Sequence, residues 1–146
     1  MNAAARPVLY TREMLALAVE LADYPFDAQA PLVAEARSRS CGGVLKLSAR
    51  PDAQGRLRHI GLGAATCAIG QASAAIFARH ADGTGGSDLA RAAQVIAAWL
   101  EGSGPLPEWP GLGILAPARD FPARHGAILL PWKAALDALS RLPAPG

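Results

Sequence analysis

The chain has 146 residues, 51% of them apolar and 18% charged, so it carries enough hydrocarbon to offset chain entropy and is not a disordered protein. Its net charge of +2 is too weak a field to argue for nucleic acid. No apolar run approaches the roughly 18 residues of a membrane span, and the stretch before Pro7 lacks the apolar centre of a secretory signal. The expected compartment is therefore the cytoplasm, where thiols stay reduced and a disulfide between the two cysteines is disfavoured. The length suits one domain, 1–146.

Thr11 can N-cap a helix that runs to about Asp23, with Met14, Leu15, Leu17, Ala18 and Leu21 on its apolar side. Tyr24-Pro25 ends it, because a residue before proline is pushed out of the helical region. From Leu32 to Leu62 the period changes. Leu32, Ala34 and Ala36 alternate with Val33, Glu35 and Arg37, and Val44, Leu45 and Leu47 alternate less strictly with Lys46 and Ser48. Pro51-Asp52-Ala53-Gln54-Gly55 reads as a turn into a strand over Leu57–Leu62, giving three short strands in an antiparallel meander.

Cys67 to Ala81 reads as an Ala-rich helix, followed by a loop over residues 82–86 and a helix from Asp88 to Glu101 capped by Ser87. Gly102 to Pro110 is an irregular connection, Leu112 to Pro117 a short helical turn, and Arg124 to Leu142 a last helix in which Pro131 imposes a kink or belongs to the first turn. Strands first and helices after predict an α+β domain: a small three-stranded antiparallel sheet with helices packed on one face.

The only sulfur nucleophiles and soft ligands are Cys41, in Ser40-Cys41-Gly42-Gly43, and Cys67, in Thr66-Cys67-Ala68-Ile69-Gly70. A cysteine at a helix start meets the positive end of the macrodipole, a setting suited to anionic sulfur. Arg37 and Arg39 precede Cys41, and Gly42 and Gly43 let the backbone approach whatever the thiol holds. A hairpin and one strand separate the two thiols, which lets both reach one end of the sheet. There they would suit zinc, iron or an iron–sulfur cluster, with His125 at the last helix start as a third ligand. The competing reading is inert buried cysteine, since no CxxC pair is present. His59 and His80 read as surface or capping residues, and Trp99, Trp109 and Trp132 as core and loop anchors. Residues 83–86 lack the Lys-Ser/Thr of a phosphate loop, and no nucleophile elbow is seen.

Taken together, the motifs resemble the NifU-like iron–sulfur cluster scaffold family, which includes IscU and SufU. Cys41-Gly42-Gly43 stands where the family has Cys-Gly-Asp, and Cys67-Ala68-Ile69-Gly70-Gln71-Ala72-Ser73 is similar to its Cys-Ala-Ile/Leu-Ser-x-Ala-Ser helix start. Phe121-Pro122-Ala123-Arg124, with Trp132-Lys133-Ala134 downstream, is similar to the segment around the last cysteine of SufU. The long connection from Gly102 to Asp120 looks like the SufU insertion.

The resemblance implies a non-enzymatic scaffold that holds a transient cluster or zinc, receives sulfur from a cysteine desulfurase and passes it to apo iron–sulfur proteins. It also shows what is missing. Gly43 replaces the ligand Asp, and the third cysteine is replaced by Ala127, or by Gly126 if His125 is matched to the IscU His-Cys pair. Two thiolates and one imidazole leave an open shell. Three outcomes follow: transient metal or cluster binding completed by water, a small thiol or a second subunit in a homodimer; sulfur acceptance on a cysteine, as in SufE-type accessory proteins; or a metal-free interaction module.

Overall fold

The computed structural model describes residues 10–40 and 42–142, so Cys41, the first nine residues and the last four lie outside the described residues. In chain order the elements are α1 (Arg12–Glu20), β1 (Leu32–Arg37), β2 (Val44–Pro51), β3 (Leu57–Ala65), α2 (Ala68–Ala81), α3 (Gly86–Leu100) and α4 (His125–Ser140). Short 3-10 segments cover Leu21–Asp23, Leu112–Asp120 and Pro122–Arg124.

The sheet is the expected antiparallel meander, ordered β1-β2-β3. Leu32, Ala34, Leu45, Leu47, Ala49, Leu57 and Leu62 are buried beneath the helices. α4 packs on β1 and β2 and α2 on β3, while α1 leans on α2 and α3 on α4. Because α2 touches α1, α4 and the sheet, its interior positions are small. Ala72, Ala74 and Ala75 are wholly buried, and the larger Ile69, Ile76 and Phe77 fill the remaining space. Phe77, Trp109 and Trp132 form an aromatic cluster, with Phe77 stacked on Trp109 and Trp132 edge-on to both. The Trp109 indole N–H donates to the Ile76 carbonyl at 3.0 Å, which ties the long connection before α4 to the middle of α2.

The chain leaving α1 runs along the outer edge of β3, where Pro25 bridges to Leu62, and reaches the sheet's other face beside Ser48 and Gly61, while Glu35 and Lys46 on that face stay exposed. Leu62 N–H donates to the Tyr24 carbonyl at 2.8 Å, and Asp27 N–H donates to buried Ser48 Oγ at 2.9 Å. This crossing needs Gly61: a Cβ there would sit 2.2 Å from the Pro25 carbonyl oxygen. Between Ser48 and Arg50 the β2–β3 register shifts, so His59 and Ile60 together oppose Ala49, and His59 adopts φ +54°. A bulge in the strand accounts for this left-handed histidine.

Three expected boundaries move. Thr11 does cap α1, accepting from Met14 N–H at 3.2 Å. Ser87, however, does not cap α3, because Asp88 Oδ2 reaches back to Gly85 N–H at 3.0 Å and starts the helix at Gly86. β3 continues to Ala65 because Val44 and Leu45 extend its ladder. The turn expected over Leu112–Pro117 extends as a 3-10 segment to Asp120. Pro131 lies inside α4, past its first turn, where its missing N–H leaves the Ala127 carbonyl without the usual helical donor.

Candidate functional site

The sheet register decides which segments meet. Arg37 pairs with Val44, and Val44 pairs with Ala65. The β1–β2 connection that carries Cys41, and Thr66-Cys67 after β3, therefore emerge at the same end of the sheet. The start of α4 reaches that end as well. Ser40 Oγ donates to the Ala123 carbonyl at 3.0 Å, and the Gly126 backbone lies against Ser38 and Ser40. The three sequence blocks are thus adjacent as segments.

Cys67 is half-buried, with a free thiol, and its backbone is extended as the N-cap of α2. Its side chain makes no capping hydrogen bond, which leaves the sulfur at the positive end of a 14-residue helix. The turn that presents it is braced from inside the helix. Gln71 Nε2 donates to the Thr66 carbonyl at 3.1 Å, and Gln71 N–H donates to the Cys67 carbonyl at 3.0 Å. Gly70, where the resembled block has Ser, gives Thr66 its place: a Cβ at residue 70 would lie 2.5 Å from Thr66 Cγ2. The body of Cys67 packs on the core.

Gly42 takes φ +69°, a conformation that favours glycine, and its N–H donates to the Ser38 carbonyl at 2.9 Å. Gly43 is buried, and its carbonyl accepts from Ser38 N–H at 2.8 Å. Neither glycine brings a side-chain ligand. Cys41, between these anchored residues, lies outside the described residues.

His125 opens α4 and is half-buried. Its Nε2 lies 3.0 Å from the Arg119 carbonyl oxygen. A carbonyl only accepts, so Nε2 carries the proton, and Nδ1 is the nitrogen left for a ligand in the neutral ring. Ala127 is fully buried. Among the described residues no three His, Cys, Asp or Glu side chains cluster as a metal would require.

α2 is joined to α4 by a contact that the residue pattern did not single out. Buried Ser73 Oγ donates to the Ile128 carbonyl at 2.6 Å, fixing the depth of the Cys67 helix relative to α4. Ser38, Ser40 and Gln71 were likewise missed. Ser73 could have been found only through its place in the resembled helix-start block, and the other three carry no sequence signal.

The displaced titrations lie at the other end of α2. The Arg79 guanidinium, hydrogen-bonded to Glu20, holds the Glu20 carboxyl below its ordinary value. Backbone N–H of Arg56 leads the groups that lower Asp52, and Arg58 bridges Asp52 and Asp82 at 3.2 and 2.9 Å. A separate cleft of about 580 Å³ between α3 and residues 105–109 contains none of the candidate site residues.

Neither a family model nor a curated protein matches the chain. Solved structures do. The N-terminal part of a nitrogen-fixing NifU-like protein from Brucella abortus superposes with TM-score 0.81 at 27% identity, covering 90% of this chain and 92% of that one. A protein assigned as an iron–sulfur cluster assembly scaffold of the SUF system, from Fervidobacterium islandicum, gives TM-score 0.77 at 20% identity over 90% and 96%. A hypothetical protein gives 0.65 at 19% over 88% and 97%. The latter two speak for the fold alone. With them, the α+β architecture expected from the strand and helix order is observed.

Proposed function

We propose, from the premise that the chain is of the NifU/IscU/SufU type in fold and in motif order, that it serves iron–sulfur cluster assembly as a scaffold-like protein without catalytic activity of its own. Cys41 and Cys67 are its working thiols. They hold iron, zinc or a nascent cluster as cargo, with His125 Nδ1 as a third donor and Gly42 and Gly43 keeping the loop backbone close. A cysteine desulfurase supplies the sulfur, and apo iron–sulfur proteins receive the product. The cytoplasm is the expected compartment, and no helix among the described residues is long and apolar enough to cross a membrane.

The observation that carries this reading is the convergence of the three motif-bearing segments at one end of the sheet, with Cys67 uncapped at a helix N-terminus. Anaerobic reconstitution with ferrous iron and sulfide tests it. The expected result is thiolate-to-metal charge-transfer absorption that disappears in Cys41→Ala and in Cys67→Ala. Absorption that survives both substitutions contradicts it. A His125→Ala variant that binds as well as the parent removes the imidazole from the shell.

A second reading, sulfur acceptance without tight metal binding, is favoured by the donor inventory. Gly43, Gly126 and Ala127 offer no side-chain ligand atoms, and one His125 nitrogen is already committed to Arg119. In that case a thiolate attacks the outer sulfur of a donor persulfide. A new S–S bond forms on this chain, the donor's S–S bond breaks, and the donor leaves as a thiolate with no net oxidation. A persulfide adduct on one cysteine, formed without iron and detected by mass spectrometry, marks this branch.

A further inference from the structure

Packing on α2 accounts for one face of α1 and leaves the opposite face open. Met14 and Leu17 are buried. Leu15, expected on the apolar side of the helix, is instead 47% exposed, and Val19 is 76% exposed, the highest value for a large apolar side chain among the described residues. Arg12, Ala16, Val19 and Asp23 recur at helical spacings of four, three and four, and α1 continues directly into the 3-10 segment that ends at Asp23. These residues therefore share one outward stripe, with Leu15 and Ala22 beside it, and all of them are exposed. The stripe has a cation at one end, hydrocarbon in the middle and a carboxylate at the other end. Among the described residues neither terminal charge has an ion-pair partner, and Glu20 on the flank is already taken by Arg79.

We propose that this stripe is a self-association surface, on which two copies of the chain pair their α1 helices antiparallel about a two-fold axis midway along it. Arg12 then meets the partner's Asp23 at each end, and Val19 packs against the partner's Ala16, so the contact is isologous. The small side chains of Ala16 and Ala22 let the helix axes approach closely, and the opposed helix dipoles attract. A second copy is favoured over an unrelated helix because the stripe is its own charge complement. One short helix covers far less than the roughly 800 Å² per partner of a standard interface, so the dimer is weak and forms at high protein concentration. No residue of the thiol site takes part, and the inference stands apart from the cargo-binding reading.

Sedimentation velocity on the full, reduced chain, from micromolar to millimolar protein at low salt, tests the proposal. The parent is expected to move from monomer towards dimer as its concentration rises. Val19→Asp, which puts a charge in the middle of the stripe, abolishes that shift. Arg12→Asp sets like charges at both ends of the contact and weakens association about tenfold. Adding Asp23→Arg to Arg12→Asp restores the parental association, because each end again joins opposite charges. The double exchange places acid at the helix start and base at its end, which suits the dipole and keeps the test clear of folding defects. A chain that stays monomeric at millimolar concentration overturns the proposal. So does association that survives Val19→Asp, which runs through another face, and so does a double exchange that fails to restore it, which removes the antiparallel pairing.

Discussion

The two ends of α2 are finished in different ways. At its C-terminal end Arg79 grips Glu20, and Asp82 meets an Arg58 that also holds Asp52. Basic groups in the last turn suit the negative end of the helix dipole, and Arg58 neutralises the less favourable Asp82. At the N-terminal end the cap is a cysteine whose side chain caps nothing, beside a glycine, a threonine and the serine-tethered loop. Charge closes one end, while the other keeps its helix N–H groups and a thiol available. The lesson is that this fold spends its strong polar contacts where no chemistry is read and leaves small neutral groups around the sulfur.

Substitutions can break or sharpen that contrast, and the largest effect is expected between the ends. Phe77→Ala removes the ring that stacks on Trp109 and meets Trp132, and should cost about 3–5 kcal/mol, read in a denaturant titration with both ends loosened together. Next comes Ser73→Ala. It leaves the Ile128 carbonyl without its buried donor and should cost about 1–3 kcal/mol, raising Cys67 alkylation because this is the contact that seats the thiol's helix on α4.

Glu20→Gln acts only on the charged end, and as an exposed pair it is worth about 1 kcal/mol or less. Its sign follows from the direction of the shift. Glu20 is depressed in the folded state by Arg79, so its contribution is fully present above the ordinary carboxylate range and is lost as pH falls through the folded value. Parent and variant should therefore differ near neutrality and converge in acid, as thermal melts at a series of pH values would show. Smallest of all for stability is Cys67→Ala. A half-buried cap whose thiol makes no capping hydrogen bond and only accepts a long 4.0 Å contact from the Thr66 hydroxyl should shift stability by under about 1 kcal/mol while abolishing reconstitution.

The sheet was legible because alternation in Leu32–Arg37 and the turn at Asp52–Gly55 are local signals, and the Ala-rich run of α2 is equally plain. The start of α3 was not, since Ser87 looks like a cap on composition and only the reach of Asp88 to Gly85 N–H decides otherwise. At the site, Cys67 could be placed at a helix start from the residues that follow it. The Ser40–Ala123 tether spans 83 positions, and the Gly126 seat depends on a backbone approach between segments far apart in sequence. Neither leaves a periodic trace. His125 was legible as a histidine at a helix start, but its bond to the Arg119 carbonyl depends on the 3-10 segments that precede α4.

The proposed function requires the two sulfurs to meet at one end of the molecule. Mild oxidation of the reduced chain at high dilution, followed by peptide mapping, tests this most directly, because a disulfide forms only between cysteines whose Cα atoms come within about 7 Å. The predicted product is a Cys41–Cys67 disulfide within a single chain, blocked when iron and sulfide are bound first. Two thiols that stay free, or that link only between chains, would contradict it.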